Sequence, residues 1–277
     1  MNKKNLTGTF ILVLFLISIM AVPARAHDQA SEGTVRIGNI LGSAVSTLVK
    51  GIIQGKVKNF GDAGKMFLYG GVAGYGFYTA KTMASKGNIT SGVMLANLSA
   101  SISENVSWGE NPLAYIGYSL GPVRVKVATP LAKNPAGIVN VNVSAKEIIN
   151  LAYSLSKADK VSFKYGLLTF EASEKLDGIA LGWTKGIFPT TLFGTYDYVL
   201  NHEMVHVIQS IQLSSVSLYE PLIQKNHNDS SGKSGFFHFE GIKLDLFSLA
   251  NDLANASIQY DSRWQEIEAH HFATDRQ

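Results

Sequence analysis

The stretch 199-VLNHEMVHVIQ-209 sets two histidines four residues apart, with a glutamate directly after the first. Its other positions are uncharged, and Val199, Leu200, Met204, Val205, Val207 and Ile208 are apolar. With no glycine or proline to interrupt it, the run reads as a helix buried on every side except its His/Glu face. Residues at i and i+4 lie one above the other on a helix, so His202 and His206 project from one face within reach of a single ion. Glu203 follows about 100° further round, at ~3.6 residues per turn. That is too close to share the ion easily, but well placed to take a proton from a water beside it. Two imidazoles and a carboxylate are costly to bury on so apolar a helix unless they are paired or metal-bound. With seven histidines in the chain, the spacing H-E-x-x-H arises by chance in roughly one such sequence in a hundred, so the pattern carries weight.

The chain has no cysteine. Disulfides, thiolate metal sites and a lipid-modified cysteine are therefore excluded, and any metal must be held by His and carboxylate. Zinc accepts imidazole nitrogens at about 2.0–2.1 Å. It also brings the pKa of a coordinated water down to about 7, where a glutamate can serve as general base. The expected site is thus Zn2+ held by His202 and His206, with Glu203 as catalytic base and a third protein ligand still to be found.

The run 199-VLNHEMVHVI-208 resembles the active-site helix of the zincin metallopeptidases. Within that group the metzincin pattern requires glycine and histidine where this chain has Gln209 and Gln212, so that branch is disfavoured. The gluzincin branch takes its third ligand from a glutamate on a later helix, and 264-WQEIEAHHFA-273 resembles that helix. Two glutamates compete there, and being two apart they point to nearly opposite faces. Glu266, with Ala269 and His270 at the following family positions, is preferred as the metal ligand. Glu268 remains the alternative, and His270, where many relatives carry Asp or Asn, could itself ligate. The resemblance, confined to these two helices, also implies an oxyanion stabiliser, for which Tyr219, His238, Tyr260 and His271 are available. It further implies an upstream edge strand, within 178–193, that holds a peptide substrate by main-chain pairing.

Outward from this centre the chain divides by periodicity. Apolar positions from Thr34 to Ile53 recur at helical spacing and predict a helix ending near Gly55. The glycine-rich run 61-GDAGKMFLYGGVAGYGFYTAKTMASKG-87 has no charge between Lys65 and Lys81. It is too short to span a bilayer, and the better reading is a buried helix whose glycines admit neighbouring backbones. Gly70-xxx-Gly74 within it also suggests membrane or partner-helix contact through 61–87. A third helix is expected over about 90–106. In 123-VRVKVAT-129 and 138-IVNVNVS-144, valines alternate with polar residues at period two, the pattern of half-buried strands. Ser144 and Glu147 form a capping box that opens a helix through Leu155. A strand pair is expected around Gly166. Thr195 can cap the motif helix, 242–256 repeats at helical spacing, and Ser262 can cap the final helix. The expected class is α+β: glycine-rich helices over 34–107, a central antiparallel sheet over 112–193, and catalytic helices over 195–277, all in one domain from 27 to 277.

The first 26 residues read as a secretory signal peptide. Lys3 and Lys4 precede the apolar run 9-TFILVLFLISIMAV-22, and Ala24-Arg25-Ala26 marks cleavage after Ala26. Lys3, Lys4 and Arg25 account for the formal net charge of +3, so the mature chain is neutral and a nucleic-acid partner has no electrostatic support. An exported zinc hydrolase, periplasmic, outer-envelope or extracellular, acting on a peptide or protein is the leading expectation. The competing one is a non-catalytic envelope protein with a structural or relict metal site and membrane- or partner-binding glycine-rich helices. The pattern is silent on oligomeric state.

Overall fold

A computed structural model describes residues 31–133, 135, 137–158, 160–171, 182–183, 186–187, 196–216, 219–223, 235–245 and 263–274. The signal-peptide expectation, Tyr260, the two proposed caps Thr195 and Ser262, and most of 178–193 and 242–256 lie outside them. The class is α+β, with six helices and nine strands among the described residues.

Three long helices form the front: α1 (Glu32–Ile53), α2 (Phe60–Ser85) and α3 (Ile89–Ser107). The Ser31 hydroxyl accepts the Thr34 amide at the start of α1, and Asn59 does the same for Asp62 at the start of α2, satisfying amides that a helix start leaves open. Helix α1 gives way at Gln54 and Gly55, the latter at φ 67°. The glycines of α2 work as inter-helix contacts. A Cβ on Gly74 would lie 2.3 Å from the Asn39 carbonyl oxygen, and one on Gly70 would lie 2.8 Å from the Ala44 Cα. The Gly70-xxx-Gly74 pair is therefore spent on α1 of the same chain. No helix of the described residues is long and apolar enough to cross a membrane.

The sheet has five strands: β1 (Tyr115–Leu120), β2 (Val123–Ala128), β3 (Gly137–Ser144), β8 (Tyr219–Ile223) and β9 (Gly235–Asp245), in spatial order β1-β2-β3-β9-β8. Two expectations are corrected here. The sheet is mixed, because β3 and β9 run parallel while the other pairs are antiparallel. It also draws two strands, β8 and β9, from the C-terminal third, which was expected to be helical, and β9 takes the start of the 242–256 stretch. Ile242 to Asp245 complete β9, with Ile242 beside Val143. A short apolar run fits either period until a partner strand claims it.

The period-two reading of β2 and β3 is correct about which residues share a face, and the structure turns the polar face inside. Arg124 is 6% exposed and Asn140 and Asn142 are buried, whereas Val127 is 45% exposed. The register lines up Ile116, Val127, Val139 and Phe237 on one face, and Gly117, Lys126, Asn140 and His238 on the other. The polar face packs on α3, whose own polar side meets it. Glu104 pairs with Arg124 at 3.0 Å, the Asn97 side-chain Oδ1 accepts the Ser119 amide, and the Ser101 hydroxyl accepts the Gly117 amide. Buried polar groups persist because every partner is supplied.

Helix α4 (Ala145–Lys157) opens with the Ser144 hydroxyl accepting the Glu147 amide, as the capping box predicts, and packs on β3 and β9. The expected hairpin is β4 (Lys160–Lys164) and β5 (Leu167–Glu171). Tyr165 and Gly166 both have positive φ, the twist that a two-residue hairpin turn prefers. The pair β6 (Gly182–Trp183) and β7 (Gly186–Ile187) is a minimal hairpin beside the motif helix. It lies in the region expected to hold substrate, but these residues pair with each other and stand outside the five-stranded sheet.

Candidate metal centre

The motif lies on α5 (Tyr196–Val216), and its partner is α6 (Trp264–Thr274). Two apolar faces anchor α5. Leu200, Met204, Val207, Ile208 and Ile211 enter the main core with Phe77 and Ala80 of α2 and Val93 and Ala96 of α3. Val205 packs with Val35, Tyr78, Ala269 and Phe272 in a second cluster. The small residue Ala269 thus lets α6 lie close to α5. The remaining face carries His202, His206 and Gln209 towards α6. It is more covered than the sequence suggests, since His202 and Glu203 are buried too, Glu203 at 2% exposure. His206 is partly open and His270 exposed, marking the solvent side of the cluster.

Glu266 completes the group. Its Oε2 lies 3.3 Å from His202 Nε2 and 3.2 Å from His206 Nε2, and the two nitrogens are 3.1 Å apart. Among the described residues, His202, His206 and Glu266 are the cluster of ligand atoms able to hold a metal ion. The geometry suits one. Two ligands at about 2.0–2.1 Å from a tetrahedral ion stand roughly 3.3–3.4 Å apart, and the observed triangle is close to that on all three edges. A fourth position over the open side of the triangle would be left for water or substrate.

Electrostatics point the same way. Burial pulls both imidazoles towards neutrality. At His202 burial prevails over the Glu266 hydrogen bond, and its pKa is lowered. At His206 the Glu266 hydrogen bond and charge, with the Glu203 charge, outweigh burial and push the pKa up to about 9. A cluster that draws a proton onto one of its imidazoles is a cluster that attracts positive charge.

The competing residues are placed elsewhere. Glu268 turns away from the histidines and forms a buried ion pair with Lys81 of α2 at 2.8 Å. The ring of His270 lies 4.7 Å from that of His202 and outside the ligand triangle. His271 packs against Phe272, and His238 sits beside Asn140 on the sheet. The residues that sequence reasoning passed over are Lys81, Asn39 and Gln209. Lys81 ends a long charge-free run in an apolar helix, which is the one signal that could have marked it. No known family model, curated protein or solved structure matches the chain.

Proposed function

We propose that this protein is an exported zinc-dependent hydrolase of the zincin type, acting on peptide bonds. The observation that carries the reading is the near-equilateral triangle of His202 Nε2, His206 Nε2 and Glu266 Oε2, on a helix that also presents Glu203. Those three residues would hold the ion, and a bound zinc supplies Lewis acidity to water and to the substrate carbonyl. Glu203 is the general base. It accepts the proton of the attacking water and then delivers it to the departing amine.

The test is metal content and peptide hydrolysis in wild type and Glu203→Gln. The expected result is one zinc per chain in both, with turnover lost by about 10²–10⁴-fold in the variant. A folded wild-type protein that takes up no zinc overturns the reading.

A second reading, a membrane- or partner-binding role, is favoured by the outer face of α1 and α2. Ile37, Leu41, Leu68, Val72 and Tyr75 are exposed there, and exposed apolar patches of this kind mark contact surfaces. Vesicle binding by a Glu203→Gln protein that keeps its biological role would favour it.

A further inference from the structure

Glu268 and Lys81 share a buried ion pair beside the metal centre, and the bonds around them form a continuous chain. The Lys81 ammonium donates to Glu268 Oε2 (2.8 Å), to Asn39 Oδ1 (2.8 Å) and to Gln212 Oε1 (3.0 Å), which uses all three of its protons. Asn39 donates in turn to Val35 O and to the other Glu268 oxygen. Gln209 Nε2 donates to Glu268 Oε2 at 2.7 Å and to the Gln265 carbonyl at 3.0 Å. Both of those partners can only accept, so the orientation of the Gln209 amide is forced. Its Oε1 must face His206 Nδ1, 2.8 Å away, and a carbonyl oxygen can only accept. His206 therefore carries a proton on Nδ1 and turns Nε2 towards His202 and Glu266.

We infer that Gln209 is the positioning residue for the metal centre, and that the Lys81–Glu268 pair, braced by Asn39, is the anchor that holds Gln209 in place. This rests on the metal reading above. It gives the glycine-rich front a part in the chemistry. Asn39 comes from α1 and Lys81 from α2, and the close approach at Gly74, directly against the Asn39 backbone, brings the two side chains to Glu268. The helices at 32–85 are a wall of the site, and a chain without them would lack an oriented His206. It also explains why two glutamates on one turn of α6 do different work: Glu266 faces the imidazoles, and Glu268 faces the residue that orients one of them.

The experiment measures zinc affinity by competition with a chromophoric chelator. It compares wild type, Gln209→Leu, the charge-neutral pair Lys81→Met with Glu268→Leu, and all three changes together. Each of the first two is expected to weaken zinc binding by about 10–100-fold, the range found for groups that orient a ligand imidazole. The triple variant is expected to be no weaker than the worse of the two, because the changes act through one bond. In zinc-loaded wild type, nitrogen-15 spectra should show a hydrogen-bonded, slowly exchanging Nδ1 proton on His206. That measurement stands even if a variant fails to fold. Wild type that binds no zinc overturns the metal reading. Zinc affinity within threefold of wild type in Gln209→Leu, additive losses in the triple variant, or a His206 proton on Nε2 overturns the positioning role alone.

Discussion

His206 meets both halves of the site: Glu266 on its Nε2 side and Gln209 on its Nδ1 side. Its pKa, raised to about 9 by Glu266 against the pull of burial, has a consequence for the metal-free protein. A group whose folded pKa lies above its unfolded value of about 6.5 adds stability that is fully present below that value and is lost as pH rises through the folded one. Chelator-treated protein should therefore melt at progressively lower temperature between about pH 7 and pH 9. Zinc bound as proposed should reverse the trend, since it would displace the proton and bind more tightly as pH rises. Melting curves with and without chelator across that range check both signs, and a metal-free protein with a flat profile would contradict them. The identity of the motif residues was legible because H-E-x-x-H is a local pattern. The preference for Glu266 over Glu268 came from the family resemblance, because a two-residue offset on one helix says only that they face apart. What decides it is Lys81, 187 residues away in sequence.

Helix α2 shows how one element serves packing and site together. Gly70 and Gly74 face α1 with no room for a methyl group, while Gly64 faces open space. Gly74→Ala should cost about 3 kcal/mol by forcing the helices apart. It should also weaken zinc binding, because the backbone it strikes is that of Asn39. Gly64→Ala should instead stabilise by about 0.5–1 kcal/mol, the ordinary gain from replacing a helical glycine. Urea denaturation of the two variants gives the comparison, and equal effects would remove the distinction. A repeat of glycines in the sequence reads as close approach, but it does not say which glycine is approached.

At the scale of the molecule, the sheet and the helical front meet through polar side chains. Arg124→Met would strip the buried Glu104 of its guanidinium and should destabilise by about 3–5 kcal/mol, the usual result of leaving one charge of a buried pair alone. Val127→Thr, on the exposed apolar face, should stay within about 0.5 kcal/mol. That ranking is the reverse of what valine alternation alone suggests, and thermal or chemical denaturation reads it directly. The same layer carries Glu240, placed between Lys126 and Lys243 at 2.6 and 2.7 Å. Burial raises its pKa, but the two lysines outweigh that and hold it at about 2. A depressed carboxylate contributes stability that is present above its unfolded pKa of about 4.3 and is lost as pH falls towards the folded one. Glu240→Gln should therefore flatten the acid limb of the stability profile between about pH 4 and pH 2, measured by denaturation against pH.

The sequence by itself determined the α+β class, most helix boundaries, the period of the strands and the motif histidines with their glutamate. Each of these is written in neighbours three, four or two positions apart, where backbone geometry alone sets which side chains share a face. Tertiary structure decided the rest. It turned the polar side of the sheet inward, because α3 supplied Glu104, Asn97 and Ser101 as partners. It claimed 242–245 for a strand because β3 offered a parallel edge. It also assigned Glu266 to the imidazoles and Glu268 to Lys81. A buried polar group goes where its partner is, and partners distant in sequence come together only when the chain has folded.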